Sequence, residues 1–376
     1  MTRANPVAAA VAASVLAAMC CGNPSDPTRA GSSPPSLPSL PSLPPSSSLP
    51  SAFRNDLARV LDAAGDAMVL EGQDGWLFFV PELRHLTAGE FWGDAAASVS
   101  QATSPEHADP LPAILDFQRQ LAAAGVELLL VPVPAKAAIY PETIADSVTP
   151  SGGTVPRLDE YDAAFYALLR ESGVTVIDPT DAFLERRVDA AGPLYCGQDT
   201  HWSGAACAVV AELLADVIRL RPWFGEISTT TYEAETRRVE ITGDLWTLLG
   251  DESLPRESLA LRFVGTPRAE GLEPVPDDPD SPVLLLGDSH GLVFHAGDDM
   301  HARGAGLADQ LAYELGFALD VMAVRGSGAT PARFNLLRRA RRSPGFWDQK
   351  RLVIWMFSVR EFTEADGWRV MPIGAS

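Results

Sequence analysis

Five short apolar runs constrain this chain more than any other feature: Val126 to Val131, Val174 to Ile177, Val283 to Leu286, Val321 to Val324 and Leu352 to Met356. Runs of this length and continuity predict strands covered on both faces. Helical periodicity separates most of them. Leu111 to Ala124 carries Pro112 in its first turn, Leu158 to Arg170 follows, and Ser203 is placed to cap a helix from Gly204 to Leu220. Two more helices are expected around Leu307 to Leu315 and Pro331 to Arg342. This alternation predicts an α/β fold, a parallel sheet with helices on both faces. Trp223 to Ser281, with its prolines and mixed strand signals, interrupts the rhythm and is read as an insertion. Ahead of the sheet, a helix from Phe53 to Ala64 and a β-hairpin within Met68 to Phe79, turning at Asp74-Gly75, are expected.

The chain's two ends differ in kind. Met1 to Cys21 has one early basic residue, Arg3, and an apolar stretch from Val7 to Met19, too short to span a bilayer as a mature helix. Residues 1–22 are therefore read as a signal peptide or lipoprotein signal, and the mature chain as exported, periplasmic or in the cell envelope. Leu16-Ala17-Ala18-Met19-Cys20 resembles a lipoprotein processing site, which would put a lipid anchor on Cys20 or Cys21. Ordinary cleavage and an uncleaved anchor are the alternatives. Residues 23–52, rich in Pro and Ser, cannot build a core and are read as a disordered tether. Residues 53–376 form the folded domain. With 49 acidic against 29 basic residues, the charge of the whole chain argues against nucleic acid or an anionic lipid surface as the main partner. Cys196 and Cys207 leave a disulfide open, no zinc spacing appears, and no cofactor is called for.

The third core strand ends in Gly287-Asp288-Ser289. Chance supplies that tripeptide in about one chain in ten of this length, so its meaning depends on partners. A serine hydroxyl becomes a nucleophile when a neighbouring base takes its proton and a third group orients that base. Three histidines follow a carboxylate by two residues: Asp199 with His201, Asp288 with His290, and Asp299 with His301. Spacing alone does not choose among them. His201 comes from a separate segment and can approach Ser289 from across the sheet edge, beyond the carboxyl ends of the strands, where open sheets of this kind place their sites. The plain alternative is that Asp199 and His201 only cap the helix behind them. His290 is expected to wall the pocket and Asp288 to buttress the turn. His295, Asp298, Asp299 and His301 fit no regular metal site and are read as a solvated loop. His85 and His107 carry no signal.

Asp199-Thr200-His201-Trp202 together with Gly287-Asp288-Ser289 resembles the alginate O-acetyltransferase family, SGNH-hydrolase-like proteins that acetylate secreted polysaccharides in bacteria. The resemblance extends to Asp74-Gly75-Trp76-Leu77-Phe78, Val131-Pro132-Val133-Pro134-Ala135-Lys136 with Tyr140-Pro141, and Val353-Ile354-Trp355 with Arg360-Glu361. It implies an SGNH-like sheet with insertions and Ser289 as nucleophile, His201 as base and Asp199 as orienting acid. It also implies a polysaccharide acceptor and an acetyl donor served by a membrane-bound acyltransferase. The acid and base precede the serine in the chain, which a triad defined by geometry permits. For the oxyanion the Ser289 amide and Arg325 are candidates, Arg325 being equally suited to a structural ion pair. An acetyl esterase of the same fold, or a binding protein using Trp76, Trp202 and Trp355, are the competing functions.

Overall fold

The computed structural model describes residues 48–374. The expected signal and lipid-anchor cysteines, and most of the expected tether, lie outside the described residues. The main helices are α1 (Ser48–Ala64), α2 (Pro110–Ala123), α3 (Glu160–Glu171), α4 (Gly204–Arg219), α5 (Leu307–Leu315) and α6 (Thr330–Arg342). The strands are β1 (Val69–Glu71), β2 (Leu77–Phe79), β3 (Glu127–Val133), β4 (Thr175–Val176), β5 (Glu233–Ile241), β6 (Glu257–Arg268), β7 (Gly271–Pro274), β8 (Val283–Gly287), β9 (Asp320–Ala323) and β10 (Leu352–Ser358). Helix α1 starts at Ser48, inside the segment read as tether. Pro50 does not prevent this, because amides of a first helical turn have no intrahelical acceptor to lose.

The central sheet runs β4-β3-β10-β8-β9, with every neighbouring pair parallel. These are the five apolar runs of the sequence. Strand β10 sits in the middle, with Leu352 opposite Glu127 on one side and Val283 on the other. All seven of its residues are buried. Successive side chains of a strand point to opposite faces, and two cores result. Val353, Trp355 and Phe357, with Leu128, Leu130, Leu284 and Leu286, pack under α1, α2, α3 and α6. Leu352, Ile354 and Met356, with Leu129, Val131, Val283 and Leu285, pack under α4 and α5.

The irregular Trp223–Ser281 stretch contains the antiparallel sheet β5-β6-β7. Leu259, Leu261 and Phe263 of β6 belong to the second core, so the insertion is packed into the domain. The hairpin β1–β2 pairs as expected, Val69 opposite Phe79. Cys196 and Cys207 are buried free thiols in that second core. Among the described residues no helix is long and apolar enough to cross a membrane.

One glycine sets the end of β8. A Cβ on Gly287 would stand 2.3 Å from the Met356 carbonyl oxygen of β10, so only glycine keeps the two strands in register there. Ser289 follows two residues later, at the carboxyl edge of the sheet.

Candidate active site

Asp288 follows β8 directly and caps a short 3₁₀ turn, Ser289–Gly291. Its Oδ1 accepts hydrogen bonds from the His290 amide (2.9 Å) and from His290 Nδ1 (3.1 Å). Its Oδ2 accepts one from the Ser358 amide (2.8 Å), which ties the turn to the end of β10. Burial opposes the charge of Asp288, but His290, Arg360 and the Ser358 amide outweigh it and hold its pKa at about 2. Asp288 is thus a fixed anion under the turn. His290, fully buried, is pushed below the ordinary imidazole range by that burial despite Asp288.

Asp199 and His201 lie in the loop closed by the Tyr195–Trp202 bridge. The Ser203 hydroxyl then accepts a hydrogen bond from the Ala205 amide at 3.1 Å and starts α4, as a cap should. Several elements hold the loop. The Gly197 and Gln198 amides donate to Glu257 of β6 (2.9 and 3.2 Å), and Leu77 of β2 donates its amide to the Gly197 carbonyl (2.7 Å). Lys136, buried just past β3, donates its ammonium to the carbonyls of Leu77 (2.8 Å) and Asp199 (2.6 Å). Gly243 lies so close that a Cβ would meet the Gln198 carbonyl oxygen at 2.0 Å. Trp202 donates its indole N–H to the His290 carbonyl (3.1 Å), so the loop and the Ser289 turn are bonded directly.

The structure brings Asp199, His201 and Ser289 into one chain of bonds. His201 Nε2 lies 2.7 Å from Ser289 Oγ, and His201 Nδ1 lies 2.6 Å from Asp199 Oδ1. With Nδ1–H donating to the carboxylate, Nε2 is left to accept the serine hydroxyl proton. Burial opposes the His201 cation, but the charge and hydrogen bond of Asp199, with Asp244 and Asp288 behind it, raise its pKa above the ordinary value. For Asp199, burial is likewise outweighed by the two histidines bonded to it, and its carboxyl is held well below the usual range. Ser289 is 8% exposed, Asp199 1%. Such a constellation can deprotonate a hydroxyl while carrying the positive charge on a supported imidazole. The Ser289 amide opens the 3₁₀ turn, a position with no intrahelical acceptor, and is available to an oxyanion.

Other expected residues fall elsewhere. Arg325 is exposed and bonds Asp299 through both Nε (2.9 Å) and Nη2 (2.5 Å), the ion-pair alternative. Trp202 and Trp355 are fully buried and present no face to a sugar, while Trp76 is half-buried against Tyr140 at 4.6 Å between rings. The loop after Ser289 differs most from expectation. His301 does not sit in solvent; its Nε2 lies 2.9 Å from Asp199 Oδ2. His295 stands between Asp309 (2.9 Å) and Asp277 (3.0 Å), and His85 is buried between Asp162 (2.9 Å) and Thr363 (3.0 Å). Asp199, His201 and Asp244 offer ligand atoms within 4.8 Å of one another. Their atoms are already engaged: Asp244 takes the Thr200 amide (2.7 Å) and hydroxyl (2.6 Å), and its own amide donates to Asp199 (2.8 Å). That donor set is spent on hydrogen bonds and does not argue for a cation.

Sheet order and site together define an SGNH-hydrolase-like protein bearing an Asp-x-His pair and a distant serine. The family model described as "SGNH hydrolase-like domain, acetyltransferase AlgX" matches residues 69–359, and the chain belongs to that family. It is 30% identical over 152 residues to the probable alginate O-acetylase AlgJ of Pseudomonas aeruginosa, covering 40% of this chain and 33% of that protein. The corresponding protein of Pseudomonas syringae is 30% identical over 185 residues, 48% of this chain and 41% of that one. The chain thus spans less than half the length of the curated relatives it matches. In fold it is similar to the O-acetyltransferase domain of Pseudomonas putida AlgJ, with a TM-score of 0.56 and 22% identity over 78% of this chain and 92% of that one. It is also similar to Pseudomonas aeruginosa AlgX, with a TM-score of 0.52 and 16% identity over 80% and 66%.

Proposed function

We propose that this protein is an O-acetyltransferase that moves an acetyl group, through a covalent Ser289 ester, onto hydroxyls of an exported polysaccharide. The observation that carries the reading is the unbroken sequence Asp199–His201–Ser289, bonded at 2.6 and 2.7 Å at the carboxyl edge of the sheet. Family membership supports the reaction class.

Ser289 Oγ attacks the acetyl carbonyl of the donor as its proton passes to His201 Nε2. The charge on the carbonyl oxygen is met by the Ser289 amide. His201 returns the proton to the departing donor group, the C–O bond to that group breaks, and the acetyl ester remains on Ser289. A sugar hydroxyl then gives its proton to His201 and attacks the ester, and Ser289 leaves with the proton back on Oγ. Asp199 stays ionised throughout and stabilises the imidazolium in both halves. Water in place of the sugar would make the protein an esterase. A sugar hydroxyl held in near-attack geometry reaches an effective molarity of about 10⁵ M or more, well above that of water.

The donor is proposed to be loaded by a membrane-bound acyltransferase, with the protein exported and tethered to the envelope through its N-terminal segment, by a lipid on Cys20 or Cys21 if that site is processed. The test is covalent. A serine-directed phosphonate should label the mature chain, with the adduct mapping to Ser289. A donor ester with oligosaccharide acceptors should then yield acetylated sugar. Labelling elsewhere removes the mechanism; labelling at Ser289 with free acetate as the sole product from every acceptor removes the transferase and leaves the esterase.

A further inference from the structure

We propose that His301 is a positioning residue of the same site, the outer member of a relay His301–Asp199–His201–Ser289; this rests on the catalytic reading above. Asp199 accepts four hydrogen bonds. Its Oδ1 takes the His201 amide (3.0 Å) and His201 Nδ1 (2.6 Å), and its Oδ2 takes the Asp244 amide (2.8 Å) and His301 Nε2 (2.9 Å). A carboxylate accepts only, so His301 must carry its proton on Nε2. The imidazole is therefore bonded to the face of Asp199 opposite the base. Its side chain is 9% exposed, against the ring of Phe294 at 5.8 Å between centroids.

The loop that delivers this ring is built at a conformational cost. Phe294 (φ 59°), Asp298 (φ 53°) and His301 (φ 68°) all have left-handed backbone, which non-glycine residues seldom adopt. Short bonds hold it there: Ala302 N–H to Met300 O (2.8 Å), Gly297 N–H to Ala302 O (2.9 Å) and Ala305 N–H to Phe294 O (2.8 Å). Such strain persists where surroundings impose it, and what this loop places is one imidazole on the orienting acid. Two effects on the chemistry follow. The plane of Asp199 is fixed from both sides, so that Oδ1 stays on His201. A second donor also draws charge from the carboxylate and moderates how strongly it holds the His201 cation. Around the shared Asp199 carboxylate stand His301, His201 and Asp244, and the loop that carries His301 also holds Asp299 in its pair with Arg325.

The experiment compares His301→Ala with His301→Gln in the mature chain, using p-nitrophenyl acetate as the probe. Loss of one hydrogen bond to a charged group should lower kcat roughly 10- to 100-fold with little change in KM. The acidic limb of the pH–rate profile should move to higher pH, because Asp199, no longer shared, holds the His201 proton more tightly. Gln offers an amide N–H at similar reach and should restore most of the rate. A merely structural contact would leave the acidic limb in place. Turnover within about twofold of wild type with an unmoved limb overturns the proposal. Should the Ala variant fail to fold, the His201 Nδ1–H proton resonance of resting wild type and His301→Leu, a side chain of similar bulk with no N–H to give, decides: a shift on substitution supports the relay, an identical position overturns it. That resonance does not depend on turnover. If Ser289→Ala processes the probe as fast as wild type, the catalytic reading fails, and the resonance still judges the contact.

Discussion

Asp199–His201 and Asp288–His290 are the same local structure used twice. In each, a carboxylate Oδ1 accepts from the amide and from Nδ1 of the histidine two residues on: 3.0 and 2.6 Å in the first pair, 2.9 and 3.1 Å in the second. Both carboxyls are held below their usual range. The two rings lie 4.8 Å apart. Yet His201 is raised above the ordinary imidazole value and His290 is depressed below it. Burial opposes the cation in both. More negative charge faces His201, from Asp199, Asp244 and Asp288, whereas the cations of His201 and Arg360 act against His290. The far nitrogen completes the distinction, since that of His201 meets Ser289 Oγ at 2.7 Å. A motif of this kind creates an oriented imidazole; its environment decides whether that imidazole is a base or a brace.

The largest expected effect separates the two histidines. His201→Ala should lower turnover by on the order of 10⁶-fold with folding intact, as when a serine enzyme loses its base. His290→Ala should leave the chemistry far less affected and instead destabilise the protein by about 3 kcal/mol, because Asp288 is left buried with one partner removed. Steady-state rates and urea melts on both variants check this. Similar losses of rate in the two would collapse the distinction.

Next in size is Asp199, the proposed orienting acid. Asp199→Asn should reduce turnover roughly 10⁴-fold, since an amide neither supports the imidazolium nor enforces the tautomer. A general base works in its neutral form, so the wild-type rate should fall as pH drops through a value above the ordinary 6.5. In Asp199→Asn the largest upward influence is gone while burial remains, and the acidic limb should move to lower pH. An acidic limb that stays in place would show that Asp199 does not set it.

What the sequence revealed follows from how local each signal is. Five core strands were legible because a strand buried on both faces is apolar throughout, and all seven residues of β10 are. Ser203 was legible as a cap, and the helix behind it helped to single out His201. Contacts set by folding alone were not. His301 reaches Asp199 across 102 positions by way of left-handed backbone at residues that do not advertise it. Lys136 was visible only within a family resemblance, because nothing near it in the sequence says that its ammonium will meet the carbonyls of Leu77 and Asp199. Pro50 and its serine neighbours looked like tether, although a proline in a first helical turn displaces no hydrogen bond.

A smaller effect tests the brace itself. The Asp288 carboxyl titrates near 2 in the folded protein against an ordinary 3.8. A depressed carboxyl contributes stability that is present above its unfolded value and is lost as pH falls through its folded one. The contribution is about 2 kcal/mol, and it should disappear between roughly pH 4 and pH 2. Urea melts at about pH 6, 4 and 2 should show wild type converging on Asp288→Asn at the acid end. A constant gap between them across that range would mean that Asp288 is not the anion it is taken to be.

The smallest expected effect concerns the third Asp-x-His pair, where the motif has come apart. Asp299 turns outward to Arg325 while His301 turns inward to Asp199. Arg325 has two readings, an oxyanion donor or an exposed ion pair, and its guanidinium is bonded through two nitrogens to Asp299. Exposed pairs contribute little, because solvent screens both charges and ordering two side chains opposes the attraction. Arg325→Ala should therefore leave turnover within about twofold and the melting temperature nearly unchanged. Removing one oxyanion donor would instead lower kcat about 10²- to 10³-fold. A loss of that size would move Arg325 from the rim to the reacting carbonyl and give all three Asp-x-His segments a part in one site.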